Sequence, residues 1–189
     1  MILYLHGFKS SPESFKARLI GAAMARVGRA DDYQCPQLPA SPAQAIALAM
    51  QIARSVPPDA LSLIGSSLGG YYATWMAEQL GCRAVLLNPA VQPPRELARY
   101  VGISGAYHSD APFEFKPAYI DELRALAVPA ITQPSRYYLI AATGDEVLDW
   151  RAMQAHYPQA HQTIIDGSDH GLSDFAGHLD AVLAFCKYQ

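Results

Sequence analysis

Gly65-Ser66-Ser67-Leu68-Gly69 places a hydroxyl between two glycines, where an apolar run over residues 60–64 meets a helical pattern over 68–80. A serine on so sharp a strand-to-helix turn takes a strained backbone. The positions two before and two after it crowd each other, which calls for glycine at both, and Gly65 and Gly69 meet that need. Centring the motif on Ser66 would put Ile64 and Leu68 where the glycines must be, so Ser67 is the candidate nucleophile. The bland reading is a Gly/Ser-rich helix cap, and the flanking strand and helix argue against it. A phosphate-binding loop needs a following Lys-Ser/Thr, and a dinucleotide site needs G-x-G-x-x-G; neither pattern is present here.

A serine hydroxyl becomes a nucleophile when a base takes its proton and an acid orients that base, in the chain order Ser, Asp or Glu, His. His170, in Asp166-Gly167-Ser168-Asp169-His170-Gly171, follows a predicted strand near the C-terminus and meets that order. His178 falls inside the last predicted helix and reads as a solvated face, and His6 precedes the nucleophile and reads as a loop organiser. Asp145 follows a turn glycine in Ala142-Thr143-Gly144-Asp145, just past the strand predicted over 137–141. Glu146 and Asp149 compete for its role and read as solvent-facing or capping the next helix; Asp169 adjoins the base in sequence only. A developing oxyanion needs two N–H donors, which fall to Leu68, after the nucleophile, and Phe8, after the Gly7 turn that leaves the first strand.

The elements that position these groups alternate between short β-rich runs (2–5, 33–35, 60–64, 84–87, 137–141, 163–165) and helical patterns (15–27, 42–54, 68–80, 150–156, 175–186). That alternation predicts an α/β fold with a mostly parallel sheet flanked by helices. The stretch from Asn88 through Pro134 holds seven prolines, with helical pieces only at 95–100 and 118–126. So long a connection is expected to form a short cap or lid over residues 89–134, the alternative being a surface excursion. Its aromatics Tyr100, Tyr107, Phe113, Phe115 and Tyr119 are candidate walls for an apolar substrate.

At 189 residues, 51% of them hydrophobic, the chain is long and apolar enough for one domain with a real core. No apolar run reaches the ~20 residues of a membrane helix. The start, MILYLHGF, has neither the basic region nor the cleavage site of a signal peptide, which sets the expected location as cytoplasmic. A net charge of −3 with scattered Lys and Arg offers nucleic acid no basic stripe. Cys35, Cys82 and Cys186 have no metal-ligand spacing and read as ordinary buried thiols. Acyl transfer through a serine nucleophile implies no metal or organic cofactor.

The segments LHGFKSSPESFKA, GSSLGGYYATWMAE, LLNPAV, TGDEVLDW and GSDHGLSDF together resemble the YqiA/YcfP family of small bacterial α/β-hydrolase esterases. The resemblance covers nearly the whole chain, tightest at the elbow and the acid and base loops and loosest between Pro93 and Pro129. It implies a compact α/β-hydrolase fold, a triad of Ser67, Asp145 and His170, oxyanion donors at Phe8 and Leu68, and a small-molecule ester or acyl thioester as substrate. Peptidase, lactonase and acyltransferase chemistry use the same constellation, and an interaction protein on such a scaffold is the competing class.

Overall fold

A computed structural model describes residues 1–102 and 114–188. Six strands form one sheet in the order β2-β1-β3-β4-β5-β6: β1 Ile2–Leu5, β2 Tyr33–Gln34, β3 Ser62–Ser66, β4 Arg83–Leu87, β5 Tyr137–Ala142 and β6 His161–Ile165. Every neighbouring pair is parallel. The period-2 pleat divides the strand side chains between two cores. Leu3, Leu5, Leu63, Leu86 and Leu139 pack on one face against α2 (Pro42–Ala53), α3 (Leu68–Leu80) and α6 (Trp150–His156). Ile2, Tyr4, Ile64, Val85 and Ile140 pack on the other against α1 (Phe15–Arg26) and α7 (Leu179–Phe185). Between β4 and β5 lie the short α4 (Pro93–Glu96), a 3-10 turn at Ala98–Tyr100 and α5 (Ala118–Ala125).

Local chemistry explains most element ends. Ser41 caps α2 by accepting the Gln44 N–H at 3.2 Å, with Pro42 in the first turn, where its missing N–H costs nothing. Gly81 closes α3 in the left-handed conformation. Several boundaries differ from the sequence pattern. β6 begins at His161, two residues before the expected run, and the helical piece expected over 95–100 is α4 at Pro93–Glu96 followed by the 3-10 turn at Ala98–Tyr100. Pro58–Ala60 forms a 3-10 turn, which moves the start of β3 to Ser62, and the expected last helix is split into a 3-10 turn at Phe175–His178 and α7, with weakly helix-forming Gly177 in the turn. Among the described residues no helix is long and apolar enough to cross a membrane.

Chain direction fixes where the functional loops gather. β1 has β2 on one side and β3 on the other, and chain connections leave in opposite directions at this switch point, opening a crevice at the C-terminal ends of β1 and β3. Gly7 and Phe8 follow β1, Ser67 follows β3, the loop of Asp145 follows β5 and the loop of His170 follows β6.

Candidate active site

Ser67 stands between β3 and α3 with φ 54° and ψ −120°, a conformation that costs an L-residue on the order of 1–3 kcal/mol. The surroundings hold it there. The Ser67 N–H donates to the Leu87 carbonyl at 3.0 Å, and its own carbonyl accepts from the Ala90 N–H at 3.0 Å. A Cβ on Gly65 would come within 2.2 Å of the Gly69 carbonyl oxygen, the mutual crowding expected of the motif. Gly69 has a further reason to lack a side chain, because a Cβ there would meet the Leu5 carbonyl oxygen at 1.9 Å. The elbow is thus pressed against the end of β1.

The three candidate triad residues come together. His170 Nε2 lies 3.1 Å from Ser67 Oγ, and His170 Nδ1 lies 2.8 Å from Asp145 Oδ2. The Asp145 side chain is 0% exposed, and its Oδ1 accepts the N–H groups of Val147 and Leu148, each at 2.8 Å. A carboxylate so occupied accepts a hydrogen bond from Nδ1–H, which leaves Nε2 as the acceptor facing the serine hydroxyl. Asp149 caps α6, accepting the Arg151 N–H, as the sequence suggests. Glu146 is exposed, but it does more than face solvent: its Oε2 accepts the His170 N–H at 3.0 Å and steadies the base loop. Asp169 turns away from the ring to accept the Ser173 N–H, which lowers its pKa.

Phe8 and Leu68, the proposed oxyanion donors, line with Ser67 and His170 a cavity of about 680 Å³. Its far wall comes from residues between Pro89 and Tyr100 and from Val147–Met153. Glu96 sits in this wall. Burial raises its pKa, and its Oε2 is buried with no hydrogen-bond partner among the described residues. Of the aromatics expected to wall the site from the 89–134 connection, Phe115 is fully buried in edge contact with Phe8 and Tyr119, whereas Tyr100 is half-buried and lines the cavity; Tyr107 and Phe113 lie outside the described residues.

Supporting groups that sequence reasoning missed are Asn88, Glu146 and Lys16. Lys16, 8% exposed in α1, donates to the Gly171 carbonyl, and burial lowers its pKa to about 8. Nothing in its sequence neighbourhood separates it from a surface lysine. His6 is buried and organises its loop: Nε2 accepts the Leu38 N–H at 3.0 Å, so Nδ1 donates to the Gly7 carbonyl. Cys82 and Cys186 are buried and Cys35 is half-buried rather than buried; burial raises all three pKa values, to about 11 for Cys82 and about 12 for the others, so none is a ready thiolate at neutral pH. Among the described residues no group of three or more His, Cys, Asp or Glu is placed to hold a metal ion.

Solved structures place this architecture. A protein from Agrobacterium vitis S4, provisionally assigned as a hydrolase, aligns with TM-score 0.77 at 19% identity over 98% of this chain and 87% of its own. A structure from work on LipS and LipT, two metagenome-derived lipolytic enzymes, aligns with TM-score 0.73 at 19% identity over 98% and 92%. The esterase domain of a Rhodothermus marinus protein aligns with TM-score 0.70 at 19% identity over 99% and 86%. At such identities the likeness shows the fold, which is that of the α/β-hydrolases. The model of the uncharacterised protein family UPF0227 matches residues 1–187, so the chain belongs to that family, the YqiA/YcfP family its motifs resemble.

Proposed function

We propose that this protein is a serine hydrolase that cleaves carboxylic esters or acyl thioesters through an acyl-enzyme on Ser67. The observation that carries the reading is the unbroken chain Ser67 Oγ, His170, Asp145, with links of 3.1 and 2.8 Å, at the wall of a cavity large enough for a small substrate. In this reading His170 Nε2 takes the serine proton as Oγ attacks the acyl carbon, and Asp145 stabilises the imidazolium. The N–H groups of Leu68 and Phe8 donate to the oxyanion, and His170 then protonates the leaving alcohol or thiol. Water, activated by the same imidazole, releases the acid and restores the serine. Residues 89–134 act as a cap within a single domain. The lipolytic and esterase neighbours share the scaffold on which this chemistry is proposed.

A fluorophosphonate probe and a panel of p-nitrophenyl and thioesters of graded acyl length test the proposal. The protein should be labelled once, at Ser67, and should turn over at least one class of ester. Ser67→Ala should lose labelling and about 10⁴-fold or more in kcat, since triad losses are of that order. Ser66→Ala, at a buried site in β3, should stay within about tenfold of the parent. Equal activity of the two variants would remove Ser67 as nucleophile. A folded protein that neither labels nor turns over would instead be a binding protein on this scaffold.

A further inference from the structure

The turn after β4, Leu87-Asn88-Pro89-Ala90, lies within the LLNPAV segment, to which acyl-transfer chemistry assigns no part. Yet it touches the supports of all three proposed catalytic groups. Its two ends hold the nucleophile's peptide: the Leu87 carbonyl accepts the Ser67 N–H, and the Ala90 N–H donates to the Ser67 carbonyl, each at 3.0 Å. Pro89 occupies the space beside Gly70, where a Cβ would lie 2.6 Å from the proline Cβ. Between these ends sits Asn88, 0% exposed and held at φ 42°.

Asn88 spends its side chain on the other two groups. Nδ2 donates to the carbonyls of Asp169 at 3.0 Å and His170 at 3.1 Å, the base loop itself. Oδ1 accepts the N–H of Ala142 at 2.9 Å, three residues before Asp145. The backbone N–H of Asn88 adds a bond to the Ile140 carbonyl at 2.9 Å. The side chain must therefore offer donors on one side and an acceptor on the other, which an amide does and a carboxylate does not. Glu146 and Lys16 also grip the base loop, but Glu146 ties it only to the Asp145 loop and Lys16 only to α1.

We propose that Asn88 is a positioning residue that sets the relative placement of Ser67, Asp145 and His170, by fastening the acid strand and the base loop to the turn that clamps the nucleophile. The inference rests on the acyl-enzyme reading. It follows from geometry: a displacement of about 1 Å between reacting groups costs on the order of 100-fold in rate, and Asn88 joins three loops whose drift would produce one.

Two variants separate positioning from packing. Asn88→Asp keeps shape and the acceptor for Ala142 while losing both donors to the base loop. Asn88→Gly deletes the side chain at a backbone conformation glycine adopts freely. Each should lower kcat for a p-nitrophenyl ester that the parent cleaves by about 100-fold, with KM within about twofold. Fluorophosphonate labelling should slow in parallel, and the midpoint of the pH–kcat/KM profile should move as the His170–Asp145 bond loosens. Asn88 is also the single asparagine of the sequence, so ¹⁵N-asparagine labelling yields one side-chain amide pair by NMR. Its protons should exchange slowly in the parent, and the signal should shift when a phosphonate occupies Ser67. Folded variants with near-parental kcat, or a fall in Tm with rate and pH profile unchanged, would overturn the assignment, as would fast exchange of that amide. Should neither variant fold, the exchange rate and its response to the phosphonate decide. A parent that neither labels nor hydrolyses removes the acyl-enzyme reading and this inference with it, whereas an active parent with active variants removes Asn88 alone.

Discussion

Ser67 and Glu96 show how differently single residues announce themselves. Ser67 was legible because its strain demands glycines at fixed offsets, and His170 and Asp145 because each follows a strand in the expected chain order. Asn88 was not, since an asparagine before proline reads as an ordinary turn, and the partners that give it meaning lie 54 to 82 residues away. Glu96 was equally silent. Its Oε1 accepts the Gln92 N–H, but Oε2 is buried without a partner, and burial raises its pKa. An acid whose folded pKa lies above its unfolded value binds its proton more tightly when folded. Its relative stabilisation is present at low pH and is lost as pH rises through the folded pKa. Glu96→Gln keeps the oxygen that accepts from Gln92 and removes the ionisation. Thermal denaturation should therefore show the variant more stable than the parent at pH 8, by about 2 °C or more, with the gain shrinking towards pH 4. A gain that is absent, or equal at both pH values, would show that the carboxylate finds compensation in the folded protein.

At the scale of elements, strand and helix types followed from periodicity, while several boundaries did not. Buried parallel strands are apolar on both faces, so an apolar run marks β3 without marking where pairing starts, and the 3-10 turn at Pro58–Ala60 takes Ala60, with Leu61 closing that turn before the strand begins. Close approach between elements is also invisible in one-dimensional spacing. The sequence motif calls for Gly69 because of Gly65, yet in the fold the end of β1 presses on it harder, with the Leu5 carbonyl oxygen 1.9 Å from where a Cβ would sit. Two glycine substitutions should therefore diverge. Gly69→Ala forces backbone to move at the junction of β1, β3 and α3 and should cost about 3 kcal/mol or more in chemical denaturation. Gly177→Ala, with nothing within 4 Å of the added Cβ, should stay within about 0.5 kcal/mol of the parent. Comparable stabilities for the two would mean that the elbow can relax away from β1.

For the molecule as a whole, the alternation of elements was enough to predict a mostly parallel sheet flanked by helices. What alternation cannot say is which face of the β4–β5 connection turns to the cavity beside Ser67. The aromatics of that connection look alike in sequence and separate once placed. Phe115 is 0% exposed, with its ring centroid 5.2 Å from that of Phe8 and 5.6 Å from that of Tyr119, so it packs the connection onto the body. Tyr100, 5.3 Å from the Phe8 ring, keeps one side towards the cavity that Ser67 and His170 also line. Substitution to alanine should expose this division. Phe115→Ala removes a fully buried ring and should cost about 3–5 kcal/mol in stability, with every ester affected alike in the protein that remains folded. Tyr100→Ala opens apolar volume beside Ser67 and should shift selectivity instead. The ratio of kcat/KM for p-nitrophenyl octanoate over butanoate should change by about tenfold, since each methylene that gains or loses contact in an apolar pocket is worth about 1–3 kcal/mol. Labelling at Ser67 should persist in both variants. If Tyr100→Ala scales all chain lengths equally, the acyl chain does not run along this wall, and the cavity side formed by Leu148, Ala152 and Met153 becomes its path.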